Sequence, residues 1–144
     1  MRNNVILRVI SKILIPVILI FALYVQWHGD FGPGGGFQAG VIFAAGFILY
    51  GLIFGVGLVR KVLPAKVTRM LLVVGVLLYS AVGVFGILFG GNFLDYNVLA
   101  MKPLVGQHIG ILLVELGVGI TVGASMITIF CAFAGRSPSR LDKN

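Results

Sequence analysis

The chain has 144 residues, of which 59% are hydrophobic and 10% charged, with a net charge of +7. Soluble domains carry roughly 25% charge, and so short a chain leaves much of its surface wet, so a mean hydropathy of +1.10 excludes an ordinary soluble domain and points to the bilayer. The basic residues stand in short groups between apolar runs, which makes them topology signals rather than a nucleic-acid surface.

The predicted elements are all helices, because only a helix satisfies its own backbone inside lipid as a single segment. A span needs about 20 apolar residues, and four stretches qualify. The first covers residues 5–26, with Arg8 and Lys12 near its start. It imitates a secretory signal, yet Gln26-Trp27-His28 follows in place of a small-residue cleavage site, so an uncleaved helix is expected. Pro16 inside it removes a backbone bond and crowds the carbonyl of Lys12. The second covers 37–59 and the third 70–89, both without charge. The fourth covers 107–134 and holds one charge, Glu115.

Orientation follows from the links. Arg2, Arg8 and Lys12 lie at one end, Arg60, Lys61, Lys66 and Arg69 between spans two and three, and Arg136, Arg140 and Lys143 in the tail. Four spans bring all three groups to one side, and the positive-inside rule makes that side cytoplasmic, with both termini there. The remaining links, with Asp30, Asp95 and Lys102, face outward. A single integral membrane domain, residues 1–144, accounts for the whole sequence.

Lipid gives helices no hydrophobic reason to associate, so small residues that allow close approach matter. The chain has 21 glycines, with GxxxG spacing at Gly51/Gly55, Gly86/Gly90 and Gly119/Gly123, and Gly36, Gly40 and Ala44 at the head of span two. That is more small-residue surface than a lone four-helix bundle uses, and it predicts outward faces for a partner. Cys131 is the single cysteine, so no internal disulfide forms, and it reads as an inert thiol in an apolar run.

Catalytic chemistry finds little footing. No nucleophile–His–acid set, metal-ligand spacing or cofactor motif is present, and the Gly-rich stretch lacks the lysine and hydroxyl of a phosphate loop. Three residues are ion-path candidates. Glu115 is a carboxylate in a membrane helix, which reads either as an ion or proton relay or as a fastener to a neighbouring helix. His108 lies seven residues earlier on the same face, about 10 Å along the axis. Lys12 reads as a lysine snorkelling to the inner interface, or as one aimed inward by Pro16. Tyr24, Trp27 and His28 form an outer interfacial belt.

Between the first two spans the chain reads Trp27-His28-Gly29-Asp30-Phe31-Gly32-Pro33-Gly34-Gly35-Gly36-Phe37-Gln38-Ala39-Gly40. This resembles the PGGGFQxG signature of the MnhB-like small subunits of Mrp-type (Mnh-type) multisubunit sodium/proton antiporters. The stretch from Gly110 to Gly119 is similar to that family's last helix, where an acid precedes Leu-Gly-Val; aspartate is common there, and Glu115 keeps the charge. The resemblance covers nearly the whole chain. It implies a small accessory subunit in a bacterial or archaeal cell membrane, without cofactor or enzymatic activity, needed to assemble a hetero-oligomer that exchanges Na+ for H+. Whether such a subunit also lines an ion path stays open. The stretch Pro33, Gly34, Gly35, Gly36, Phe37 and Gly40 is then expected to be an assembly joint. The alternatives are the equivalent subunit of a hydrogenase-type ion pump, or a self-sufficient four-helix transporter.

Overall fold

The computed structural model describes residues 5–29 and 32–135. Among these, five α-helices form: α1 (Val5–Trp27), α2 (Gly36–Phe54), α3 (Val56–Val62), α4 (Ala65–Leu88) and α5 (Pro103–Ala134). All but α3 are long and apolar enough to cross a membrane. Asp30, Phe31, Arg2 and the tail cations Arg136, Arg140 and Lys143 lie outside the described residues.

The second span stops at Phe54 rather than running to Val59. Gly55 adopts φ 105°, a conformation that ends an α-helix and that side chains resist. The short α3 follows at once and carries Arg60 and Lys61, so this basic group sits on a helix and not in a loop. Pro64 then caps α4, with φ already suited to a helix start. The last helix starts earlier than the charge pattern predicts, at Pro103, where the missing proline N–H has no helical partner to lose.

α1 packs on α2, α2 on α5, and α5 on α4. α5 is therefore the spine, with α1 and α4 at the two ends of the row. The helix contacts are glycine to backbone. A β-carbon on Gly40 would fall 2.6 Å from the carbonyl oxygen of Gly119, and one on Gly75 would fall 2.7 Å from that of Gly117. The hydroxyls of Thr121, Ser125 and Thr128 turn back onto carbonyls four residues earlier, at 2.7–2.8 Å, which satisfies them within α5.

At the end of the row where α1 starts, the Arg8 guanidinium lies 5.6 Å above the Phe54 ring, and Arg60 Nη2 donates to the Cys131 carbonyl at 3.1 Å. At the opposite end a 3-10 turn, Tyr96–Leu99, folds the long link back onto the bundle. The Asp95 carboxylate accepts from the Asn97 amide at 3.1 Å, and Gln107 donates to the Asn97 side chain at 3.0 Å. Tyr96 packs against Gly110; burial pushes its phenol up from the usual tyrosine value, and Tyr79 adds to the shift.

The glycine faces are used inside the bundle. Gly46 meets Leu19, Gly51 meets Phe130, Gly83 meets Phe93, and Gly123 faces Gly40. Gly55, Gly57 and Gly90 have open space around them. Most of the glycine contacts are thus spent inside the bundle, and the exposed surface is dominated by large apolar residues, among them Ile6, Ile20, Leu77 and Leu88.

Candidate functional site

α1 ends and α2 begins around one side chain, Glu115 of α5. The turn between them is closed by the Val25 carbonyl, which accepts from both His28 N–H and Gly35 N–H at 3.4 Å, and by the His28 carbonyl, which accepts from Gly32 N–H at 3.2 Å. Gly35 holds φ 127°, open to glycine and strained for any side chain. This conformation aims the chain down into α2 without a side-chain cap.

Glu115 fills the space these glycines leave. A β-carbon on Gly29 would sit 2.6 Å from Glu115 Oε1 and 2.8 Å from Cδ, and one on Gly35 would sit 3.0 Å from Oε1. A β-carbon on Gly36 would be 2.7 Å from the Glu115 carbonyl carbon and would collide with its oxygen. The carboxyl group thus lies against the hairpin while the Glu115 backbone lies against the first residue of α2. A carboxylate there lies beside the positive end of the α2 dipole.

Height can be read from the helices. Sixteen residues separate Glu115 from Cys131, roughly 24 Å of helix. Glu115 and the Arg60–Cys131 contact therefore stand near opposite faces of a core about 30 Å thick. Gln26 approaches from α1, its Oε1 being 2.6 Å from where a Gly119 β-carbon would stand, and Gln38 Oε1 lies 3.5 Å from the corresponding point on Gly35. Carboxylate, two amides and the hairpin backbone therefore form one polar patch on an otherwise apolar bundle.

The candidate residues separate in space. Gly34, Gly35, Gly36 and Gly40 face the joint, whereas Pro33 and Phe37 are exposed. His108 is exposed two turns further out on α5. On α1 the Tyr24 and His28 rings lie 4.8 Å apart. Lys12 is exposed near the opposite end of α1, far along the bundle from Glu115. Gln26 and Gly29 belong to the joint although neither charge nor spacing singles them out, because a lone glutamine at a helix end and an isolated glycine carry no spacing signal; Gly119, one half of a GxxxG pair, meets Gln26 there. Among the described residues, no group of three His, Cys, Asp or Glu side chains could hold a metal ion.

Four spans, a central helix packed through glycine on two neighbours, and a Gly-rich hairpin seated on an intramembrane acid define a multi-pass helical membrane protein built around one joint. The chain belongs to the family described as domains related to the MnhB subunit of Na+/H+ antiporters, which matches residues 6–128. It is similar to proteins named antiporter subunit mnhB2 from Staphylococcus aureus strains Newman, JH1 and USA300. Each is 36% identical over 137 residues, covering 93% of this chain and 96% of the relative. Family membership and the four spans make it a multi-pass protein of the cell membrane.

Proposed function

We propose that the protein is a non-catalytic subunit of a multisubunit Na+/H+ antiporter, a single domain with both termini cytoplasmic, whose Gly-rich hairpin is an assembly joint locked by Glu115. The observation that carries this is the seating of the Glu115 carboxyl against Gly29 and Gly35 while its backbone abuts Gly36. A carboxyl held by a rigid glycine turn fixes α1 and α2 on α5. Family membership supports the antiporter role, and the large exposed apolar faces of α1 and α4 supply surface for neighbouring subunits.

In this reading Glu115 acts as a fastener, and transport resides in the complex. This reading needs no ion path through Glu115, His108 or Lys12. Everted vesicles containing only this protein are expected to show no sodium-dependent proton flux, whereas vesicles with the full set of subunits show it. Robust exchange by this chain alone would overturn the subunit reading in favour of a self-sufficient transporter.

A further inference from the structure

The bundle encloses a cleft of about 360 Å³ below the Glu115 joint, lined by side chains of all four spans, among them Leu23, Phe43, Leu71, Leu116, Ile120 and Ile127. Gln26 and Thr68 are the polar side chains on its wall. Along α5 the cleft runs from Leu116 to Ile127, about 16 Å of helix, starting about 6 Å from the Cys131 level and reaching past the midplane of a core about 30 Å thick. The cleft has the length and apolar lining of a single extended hydrocarbon chain.

Charge identifies the rest of the occupant. Leu23, half exposed, forms the α1 edge of the cleft. Lys12 precedes it by eleven residues, which is within about 20° of three full turns, so Lys12 continues the same edge toward the inner end, about 16 Å away. Lys12 is exposed, and its carbon stem lets the ammonium reach the lipid phosphate level. The described acids, Glu115 and Asp95, both belong to the opposite end of the molecule, so no carboxylate of the described chain neutralises this one.

We infer that the cleft binds one acyl chain of an anionic phospholipid from the leaflet on the Lys12 side, with its phosphate paired to Lys12. The lipid fills the gap between α1 and α4.

The full chain, reconstituted in nanodiscs of equal phosphatidylglycerol and phosphatidylcholine and then released into mild detergent, is examined by native mass spectrometry. One retained phosphatidylglycerol per chain is expected. Lys12→Gln should reduce the preference for phosphatidylglycerol over phosphatidylcholine about fivefold, the contribution of one lysine at an anionic surface. Ile120→Trp should fill the cleft and abolish retention of both lipids; if it does not elute as a single species, Leu71→Phe on the facing helix is read in its place. No retained lipid on the wild type, or a preference that Lys12→Gln leaves unchanged, would overturn the inference. So would crosslinking of Leu23→Cys to another subunit in the lipid-free assembled complex, which gives the cleft to protein.

Discussion

Adding one methyl group at Gly36 tests the joint directly. The β-carbon of Gly36→Ala would stand 2.7 Å from the carbonyl carbon of Glu115 and 2.9 Å from its Cα. Relaxed carbon contacts lie at about 3.5–4.0 Å, so the shortfall is about 1 Å, and the obstacle is helix backbone that cannot rotate away. α2 would have to withdraw from α5 by a comparable amount. A gap of 0.5–1 Å already forfeits roughly a quarter to a half of each contact's attraction, and the Gly40–Gly119 and Gly123–Gly40 approaches would open together with Gly36. Overpacking a tight site costs about 1–3 kcal/mol, and an immovable obstacle places Gly36→Ala at the upper end, about 3 kcal/mol. That is roughly a hundredfold in the ratio of assembled to dissociated complex.

The neighbouring glycine provides the contrast. The three atoms nearest a β-carbon on Gly29 all belong to the carboxyl group of Glu115, with Oε1 at 2.6 Å and Cδ at 2.8 Å. That obstacle is a movable side chain, and Glu115→Asp shortens it by one methylene. Gly29→Ala should therefore weaken assembly by about 1–2 kcal/mol, and adding Glu115→Asp should recover most of the loss. The same aspartate should leave Gly36→Ala unrescued, because that clash is with backbone. The assay is the full-size fraction on native gels of the mild-detergent extract, together with the thermal midpoint of the extracted complex. Wild-type assembly in Gly36→Ala, or equal rescue of both alanines by Glu115→Asp, would refute the packing reasoning.

Glu115→Gln keeps the shape but not the charge, and should cost assembly about 0.3–1 kcal/mol of helix-dipole attraction while leaving sodium-dependent flux per assembled complex unchanged; loss of flux in a fully assembled complex would give Glu115 a relay role. Gly35→Val should impair assembly by about 1–3 kcal/mol, since φ 127° is strained for a branched side chain, and an intact full-size complex on a native gel would count against this. Gly55→Ala should lower the thermal midpoint through backbone strain alone, because φ is 105° and no atom lies within 4 Å. Gly57→Ala, equally open and free of positive φ, should be neutral or raise the midpoint by reducing the freedom of the unfolded chain; similar losses in both variants would refute the conformational reading of Gly55. Gly75→Leu should separate α4 from α5, since its β-carbon already falls 2.7 Å from the Gly117 carbonyl oxygen, and trypsin access to the Lys66–Arg69 region should rise.

The four spans were legible because their signal is one of composition: about 20 uncharged apolar residues leave few alternatives in a bilayer. Their ends were less legible where backbone conformation decides. Gly55 reads as half of a GxxxG pair until its φ of 105° shows that it breaks the helix. Gly51, its supposed partner, faces Phe130 inside the bundle. Small-residue spacing marks places of close approach but carries no direction, so the count of glycines could not tell an internal contact from an external one. Glu115 was legible as an exception to its surroundings, and the hairpin as a motif. Their meeting was not, because a contact between residues 29 and 115 leaves no trace in local periodicity.

That meeting explains why the most flexible stretch precedes an apolar run. The glycines at 29, 35 and 36 leave a space the size of a carboxyl group, and α5 supplies that group at the height where α1 and α2 end. A β-carbon at any of the three would enter the volume that Glu115 holds. Flexibility in the unfolded chain is thus the cost of a rigid folded turn. With most of the described glycines packed inside, the surface open to other subunits consists mainly of bulky exposed residues, including the Phe21–Tyr24–His28 stack that runs up α1 to the joint. A partner helix seated on that stack would touch the hairpin from outside while Glu115 holds it from within, so a change in complex assembly and a change at Glu115 reach the same turn.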